Sequence, residues 1–300
     1  MTLRLGVIGL SEGNGHPYSW AAIFNGYDKE AMENCGFPVI PRYLKKQEWP
    51  EIQVKGAEVN AVWSQDPKIS KHIAKAARIP NVCRRLEDLH SLCDAILLAR
   101  DDAEHHIEHA ITFLDAGMPV YIDKPVALSL EALEKLYKHE RYPGQIFTCS
   151  ALSYSNDLQL TPADREKIGE IRQITAFTPK SWAKYSMHII EPVLGYLNSD
   201  DSPTSFQVSK RRKPDDGARS LIVNWSSGVQ TSFHATGKAS SPLSLRLHGT
   251  ESWTDLTFQN SFSAFRSALL DFVEGIAAGD TRSPKSHNQR TVQLVEAGMQ

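Results

Sequence analysis

Paired cysteines, long apolar runs, a charge of one sign and internal repeats are all missing from this 300-residue chain. Its four cysteines (Cys35, Cys83, Cys93, Cys149) are scattered without a C-x-x-C pair. That leaves no disulfide framework and reads as reduced, mostly buried residues of a cytosolic protein. No apolar run approaches membrane-spanning length. The N-terminal stretch Leu3–Leu10 is too short for a signal peptide's apolar region and lacks a cleavage site, so a cytoplasmic protein is expected. A net charge of −2 gives no electrostatic case for nucleic acid or an anionic membrane. The basic run Lys210-Arg211-Arg212-Lys213 is followed by Asp215 and Asp216, and a solvated loop is expected there.

What is present is the composition of a soluble globular protein, 41% apolar and 23% charged, with length for two domains. The first half alternates strand and helix. Leu3–Gly9 reads as a buried strand, Tyr18–Phe24 as a helix, Ala57–Trp63 as a strand and Pro67–Ala77 as a helix. Val82–Arg85 is a short strand, Leu86–Ser91 a helical turn and Asp94–Ala99 a fully buried strand. Glu104–Ala116 is a helix closed by Gly117, and Met118–Ile122 is a strand. This alternation implies a parallel, doubly wound sheet with right-handed crossovers. Residues 37–55, with Pro38, Pro41 and Pro50, read as a long connection, either a functional lid or a surface insertion.

Two strand ends carry the chemistry. Gly9-Leu10-Ser11-Glu12-Gly13-Asn14-Gly15 joins a strand to a helix N-terminus, an arrangement whose N–H groups and dipole favour a phosphate. The dinucleotide fingerprint G-x-G-x-x-G is not matched: Gly9 fits the first position, but Ser11 holds the second and Asn14 the third. At the end of the second strand, Ser64 stands where an acid would bind the ribose of NAD, and Asp66 is expected to cap the next helix. Losing that acid leans toward NADP. Arg100 and Asp101 follow the fourth strand onto the same edge. The next strand ends in Asp123-Lys124-Pro125, and the proline stops it so that Lys124 sits at the lip where open parallel sheets bind ligands.

His105-His106-Ile107-Glu108-His109 contains a literal H-x-x-E-H. It starts a crossover helix with no third ligand in view, so surface histidines and helix packing are expected rather than a metal site.

A Rossmann start, His106 eleven residues before Gly117, and a strand ending in acid-Lys-Pro together resemble the Gfo/Idh/MocA oxidoreductase family, which includes glucose–fructose oxidoreductase and inositol dehydrogenase. Ile168-Gly169-Glu170-Ile171 resembles the family's turn into a second domain. The strand-like runs Arg172–Phe177, Ser205–Val208, Ser220–Trp225, Val229–Ala235, Leu243–His248 and Ser252–Phe258 suggest a mostly antiparallel open sheet there. Ser129–Lys138, Phe262–Ala278 and Asn288–Ala297 read as helices, and Gln145–Leu152 as a strand. The expected domains are a Rossmann domain at 1–125 and an α+β substrate and oligomerisation domain at 126–300, with the last helix free to return to the first domain.

The resemblance implies hydride transfer between NAD or NADP and a CH–OH group of a sugar, sugar derivative or polyol. It implies cofactor contacts from Gly9, Leu10, Ser11, Asn14, Ser64, Arg100, Asp101, Asp123 and Lys124, and a homodimer or homotetramer. The family's reacting carbon is usually surrounded by a lysine, an aspartate and a histidine, the last two as D-x-x-x-H. Lys124 matches the lysine and His188 the histidine, but the position four before His188 is Lys184. A neutral histidine can take the hydroxyl proton while an ammonium stabilises the alkoxide. Lys184 would lower the pKa of its neighbours and attract an acidic or phosphorylated substrate. The departures in the glycine turn, Ser64 and Lys184 keep two alternatives open: a nucleotide-binding sensor or scaffold without dehydrogenase activity, and an NAD-assisted lyase or hydrolase.

Overall fold

Six short strands pair into one parallel sheet. The computed structural model describes residues 2–209 and 217–300, so the basic run at 210–213 and the acids at 215 and 216 lie outside the described residues. Strands β1 (Leu3–Ile8), β2 (Ala57–Trp63), β3 (Asn81–Val82), β4 (Ala95–Leu98), β5 (Val120–Ile122) and β6 (Ile146–Phe147) take the order β3-β2-β1-β4-β5-β6. Every neighbouring pair is parallel. Strands β4 and β5 are buried along their whole length, which is why they read as continuous apolar runs without alternation.

The helices of this half are α1 (His16–Asn25), α2 (Lys29–Glu33), α3 (Val39–Leu44), α4 (Pro67–Ala76), α5 (Leu89–Leu92), α6 (His106–Asp115) and α7 (Leu130–Tyr137). Asp66 caps α4 by accepting from the Lys68 N–H at 2.8 Å. Residues 37–55 are not a structureless connection. They hold α3, and Ile40, Leu44 and Val54 are buried. The segment is tied to α1 by the Val54 N–H donating to the Ile23 carbonyl at 3.1 Å and by Gln53 Nε2 donating to the Phe24 carbonyl at 2.9 Å. Apolar residues set among the prolines drive this packing.

Two strands end earlier than expected, each because a side chain diverts the backbone. Past Val82, the Asp88 carboxylate accepts the Arg85 N–H at 3.0 Å where a helical turn opens. Past Phe147, the Ser150 hydroxyl accepts the Leu152 N–H at 3.3 Å and starts a 3₁₀ turn over Ala151–Tyr154.

The second sheet contains β7 (Ile171–Thr178), β8 (Pro203–Val208), β9 (Arg219–Trp225), β10 (Gln230–Ala235), β11 (Ser244–Gly249) and β12 (Trp253–Thr257), in the order β12-β11-β7-β10-β9-β8. Among the described residues, only the β7–β10 pair of this sheet is parallel. Period-two alternation puts Ile174, Ala176, Leu221, Val223, Phe233, Leu245 and Leu247 on the buried face. They share a core with Ile189, Ile190 and Val193. The remaining helices are α8 (Pro162–Ile168), α9 (Trp182–Tyr185), α10 (Met187–Leu194), α11 (Ser261–Ala278) and α12 (Lys285–Ala297).

The chain divides into two compact units. One takes Met1–Ala127, Glu131–Cys149 and Phe265–Lys285, and so extends past residue 125 and includes most of α11. The other takes Leu128–Leu130, Ser150–Ala264 and Ser286–Gln300, which includes most of α12. Among the described residues, no helix is long and apolar enough to cross a membrane.

Candidate functional site

In the first unit, the carboxyl ends of β1, β4 and β5 meet around buried polar groups. Gly9 lies so close to α1 that a Cβ there would stand 2.2 Å from Pro17 Cγ, so only glycine lets the turn pass beneath the helix. Gly13 has φ of +78° and open space around it, and it is exposed together with Glu12 at the tip of the turn. The residues that depart from the fingerprint are used as tethers. Ser11 Oγ donates to Asp101 Oδ1 at 2.8 Å and accepts the Asp101 N–H at 3.1 Å. Asn14 Nδ2 donates to Asp123 Oδ2 at 2.8 Å, while its Oδ1 accepts the His16 N–H at 2.8 Å.

His16 adds a tether that the sequence did not announce. Its Nδ1 donates to Asp123 Oδ2 at 2.5 Å, and its ring stacks on Trp20 at 5.1 Å. Trp20 leans on Tyr121 at 4.7 Å, and Tyr121 meets Phe147 at 4.6 Å, so β5 and the glycine turn share one aromatic support. Burial by itself would raise the Asp123 pKa. His16, Lys124 and Asn14 outweigh it and hold the carboxyl below its usual range. Lys124 is 5% exposed, and its Nζ lies 4.0 Å from Asp101 Oδ2.

Arg100 closes the other side. Its guanidinium grips Asp102 at 2.9 and 2.5 Å and donates to the Leu10 carbonyl at 3.2 Å and Gln65 Oε1 at 3.0 Å. Gln65 also binds Leu10 through both N–H and carbonyl. Ser64, by contrast, is turned inward: its N–H donates to Ser70 Oγ and its hydroxyl to the Asp66 carbonyl, each at 2.8 Å. His106 is buried with Nε2 at 2.8 Å from the Arg100 carbonyl and Nδ1 at 3.2 Å from that of Val126, which joins the segments following β4 and β5. His109 is buried as well, and only His105 of the H-x-x-E-H histidines is exposed. The expected surface histidines are therefore mainly packing histidines, because their helix faces the sheet. Among the described residues, no group of three His, Cys, Asp or Glu could hold a metal ion.

The structure thus brings Gly9, Leu10, Ser11, Asn14, Arg100, Asp101, Asp123 and Lys124 to one edge of one sheet. The exposed, open tip at Glu12 and Gly13 suits backbone approach to a dinucleotide phosphate, and the strand-end polar groups suit its ribose and amide portions. His16 and Gln65 belong to the same network. Their signal in the sequence was only their position beside the turn and just past β2.

The second unit carries the other candidates. His188 lies in α10, and Lys184 lies one turn earlier in α9. The His188 ring meets Tyr185 edge-on at 5.3 Å, and its Nδ1 is 2.8 Å from Ser150 Oγ. Lys180 Nζ donates to the Tyr185 hydroxyl. Glu191, one turn after His188, is 3% exposed and accepts the Ser150 N–H at 2.5 Å through Oε2. Among the described residues its Oε1 has no partner. Burial pushes its pKa up to about 7, against weaker opposition from the Ser150 and Ser153 hydrogen bonds.

A parallel sheet in the order 3-2-1-4-5-6 with a glycine turn after its first strand defines a dinucleotide-binding Rossmann domain. Residues 3–150 match the model of the oxidoreductase family with an NAD-binding Rossmann fold, which places this domain in the Gfo/Idh/MocA family. A search of curated proteins gave no sequence match. Among solved structures, the chain is similar to myo-inositol 2-dehydrogenase from Lactobacillus plantarum (14% identity, TM-score 0.73, covering 100% of this chain and 96% of that one). It is similar to myo-inositol dehydrogenase from Lactobacillus casei in complex with NAD(H) and myo-inositol (15%, 0.70, 100% and 94%). A third is UDP-N-acetylglucosamine 3-dehydrogenase GnnA from Acidithiobacillus ferrooxidans (13%, 0.70, 100% of both chains). At these identities the likeness is one of fold, and it extends over both units.

Proposed function

We propose that this protein is an NAD(P)-dependent oxidoreductase that moves hydride between the nicotinamide and a CH–OH carbon of a sugar, sugar derivative or polyol. The observation that carries the reading is Lys124, a buried ammonium at the carboxyl end of β5, with Nζ 4.0 Å from Asp101 Oδ2 and its backbone N–H donating to Asp123 Oδ1 beside the glycine turn. A buried charge at this lip has little structural purpose. The dehydrogenases of similar fold act, by their names, on inositols and a nucleotide sugar, which supports the same substrate class.

When bound, the nicotinamide supplies the hydride acceptor or donor. The chain's own work is then electrostatic and protonic. Lys124 stabilises the alkoxide as hydride leaves, and His188 takes the hydroxyl proton. Lys184 replaces the family's aspartate and favours a substrate bearing a carboxylate or phosphate. The inward-turned Ser64 presents no carboxylate against a 2′-phosphate, so NADP(H) is accepted at least as readily as NAD(H). Copies of the chain associate through the exposed face of the second sheet, where Phe177 and Trp253 are exposed.

Fluorescence titration with NADH and NADPH is the first test, and failure of both to bind removes the oxidoreductase reading. With binding established, sugars, sugar acids and nucleotide sugars are screened. Lys124→Ala and His188→Ala are each expected to lower kcat by about a hundredfold or more. Turnover untouched by either substitution overturns these assignments. The second reading, a nucleotide-binding protein without dehydrogenase activity, is favoured by Ser11 and Asn14 being spent as tethers. Tight NADH binding with no turnover on any acidic or neutral sugar would support it.

A further inference from the structure

Ser150 stands in the chain between the last strand of the first sheet and the 3₁₀ turn over Ala151–Tyr154, and its hydroxyl and N–H make three directed contacts there. Its hydroxyl oxygen accepts the Leu152 N–H at 3.3 Å and lies 2.8 Å from His188 Nδ1. Its N–H donates to Glu191 Oε2 at 2.5 Å. Ser150 is 0% exposed and Glu191 3%, so neither contact is loosened by water. His188 and Glu191 are three residues apart on α10, and both face the same serine. Glu191 therefore fixes the Ser150 backbone, and the Ser150 side chain fixes the imidazole.

We propose that Ser150, anchored by Glu191, is a positioning residue that holds His188 in its Nδ1–H tautomer and leaves the Nε2 lone pair for proton transfer. A hydroxyl oxygen offers two acceptor sites, enough for Leu152 N–H and His188 Nδ1–H together. The opposite arrangement, with Ser150 donating to Nδ1, would put the ring proton on Nε2 and leave a neutral His188 unable to act as a base there. This rests on the reading of His188 as the proton acceptor, and it assigns to that base a partner within its own unit. The carboxyl group of Glu191 serves as an acceptor, so an amide can replace it.

The test reads the tautomer directly. In the 300-residue chain labelled with ¹⁵N, ring-nitrogen NMR, assigned by loss of signals in His188→Ala, is expected to show the Nδ1–H form above the titration of the ring. Ser150→Ala is expected to shift it toward the other tautomer, while Ser150→Thr and Glu191→Gln keep it. With a substrate in hand, Ser150→Ala lowers kcat by about 10- to 100-fold with KM for the nicotinamide cofactor unchanged, and Ser150→Thr restores it to within about threefold. An Nε2–H tautomer in the unaltered protein overturns the inference whether or not the variants fold. So does a Ser150→Ala protein with unchanged signals and turnover. If His188→Ala abolishes turnover while Ser150→Ala does not, the base assignment stands and this inference falls. If His188→Ala is fully active, both fall.

Discussion

Asp123 and Glu191 are both enclosed carboxyl groups, 1% and 3% exposed, yet their surroundings push them in opposite directions. Asp123 receives Asn14 Nδ2, His16 Nδ1 and the Lys124 N–H, with the Lys124 ammonium close by, and its pKa is lowered. Glu191 receives one short backbone bond and a long one from Ser153 at 3.4 Å, keeps an oxygen with no partner among the described residues, and is raised to about 7. Burial opposes the charged form in both. Only the density of donors and positive charge decides which carboxyl ionises. The first unit thus builds a site around fixed charge, whereas the second holds a group whose charge changes near neutrality.

The largest effect expected from this contrast comes from making the same chemical change at both places. Asp123→Asn should destabilise the protein by about 3–5 kcal/mol near pH 8, because it takes the buried carboxylate from the Asn14, His16 and Lys124 donors that converge on it. Glu191→Gln should be neutral or stabilising there, since it removes the cost of ionising a buried acid. Urea unfolding of the two variants checks this, and shifts of the same sign would break the comparison.

A smaller effect separates them by pH. The folded-state pKa of Glu191, about 7, lies above the unfolded value of 4.5, so the fold retains a proton that the unfolded chain releases. Its contribution is therefore full below the unfolded value and declines as pH rises to about 7, by about 3 kcal/mol over the whole window. Asp123 has the opposite sign: its contribution is present above the unfolded value of 3.8 and is lost as acid carries the pH down through the lowered folded value. Stability measured in steps across this range should lose its neutral-side decline in Glu191→Gln alone.

The smallest effect concerns single donors. Asn14→Ala removes one of the bonds to a charged acceptor and should cost about 1.5–3 kcal/mol, with weaker NADH binding as the glycine turn loosens. Ser153→Ala deletes only the long bond to Glu191 and should stay within about 0.5 kcal/mol. Thermal melts of both, side by side, show whether donor density is what separates the two carboxyls.

Much of the molecule was written in local pattern. The apolar runs of β4 and β5, the alternation in β7 and β9, Asp66 before Pro67 and the proline after Lys124 specify strands, caps and stops within a few residues of themselves, since backbone preference and side-chain period act locally. The same reach explains why Gly9 and Lys124 could be marked as site residues before any contact was known. What local pattern could not supply was the pairing of residues far apart in sequence. Asn14 looked like damage to a fingerprint and His16 carried no signal, and the purpose of both depends on an aspartate more than a hundred residues away. Ser64 sat at the right strand end, but its hydroxyl satisfies Ser70 and Asp66 rather than facing outward. Glu191 and Ser150 carried no motif, because a buried acid takes its properties from the groups that enclose it, and only the folded chain brings those groups together.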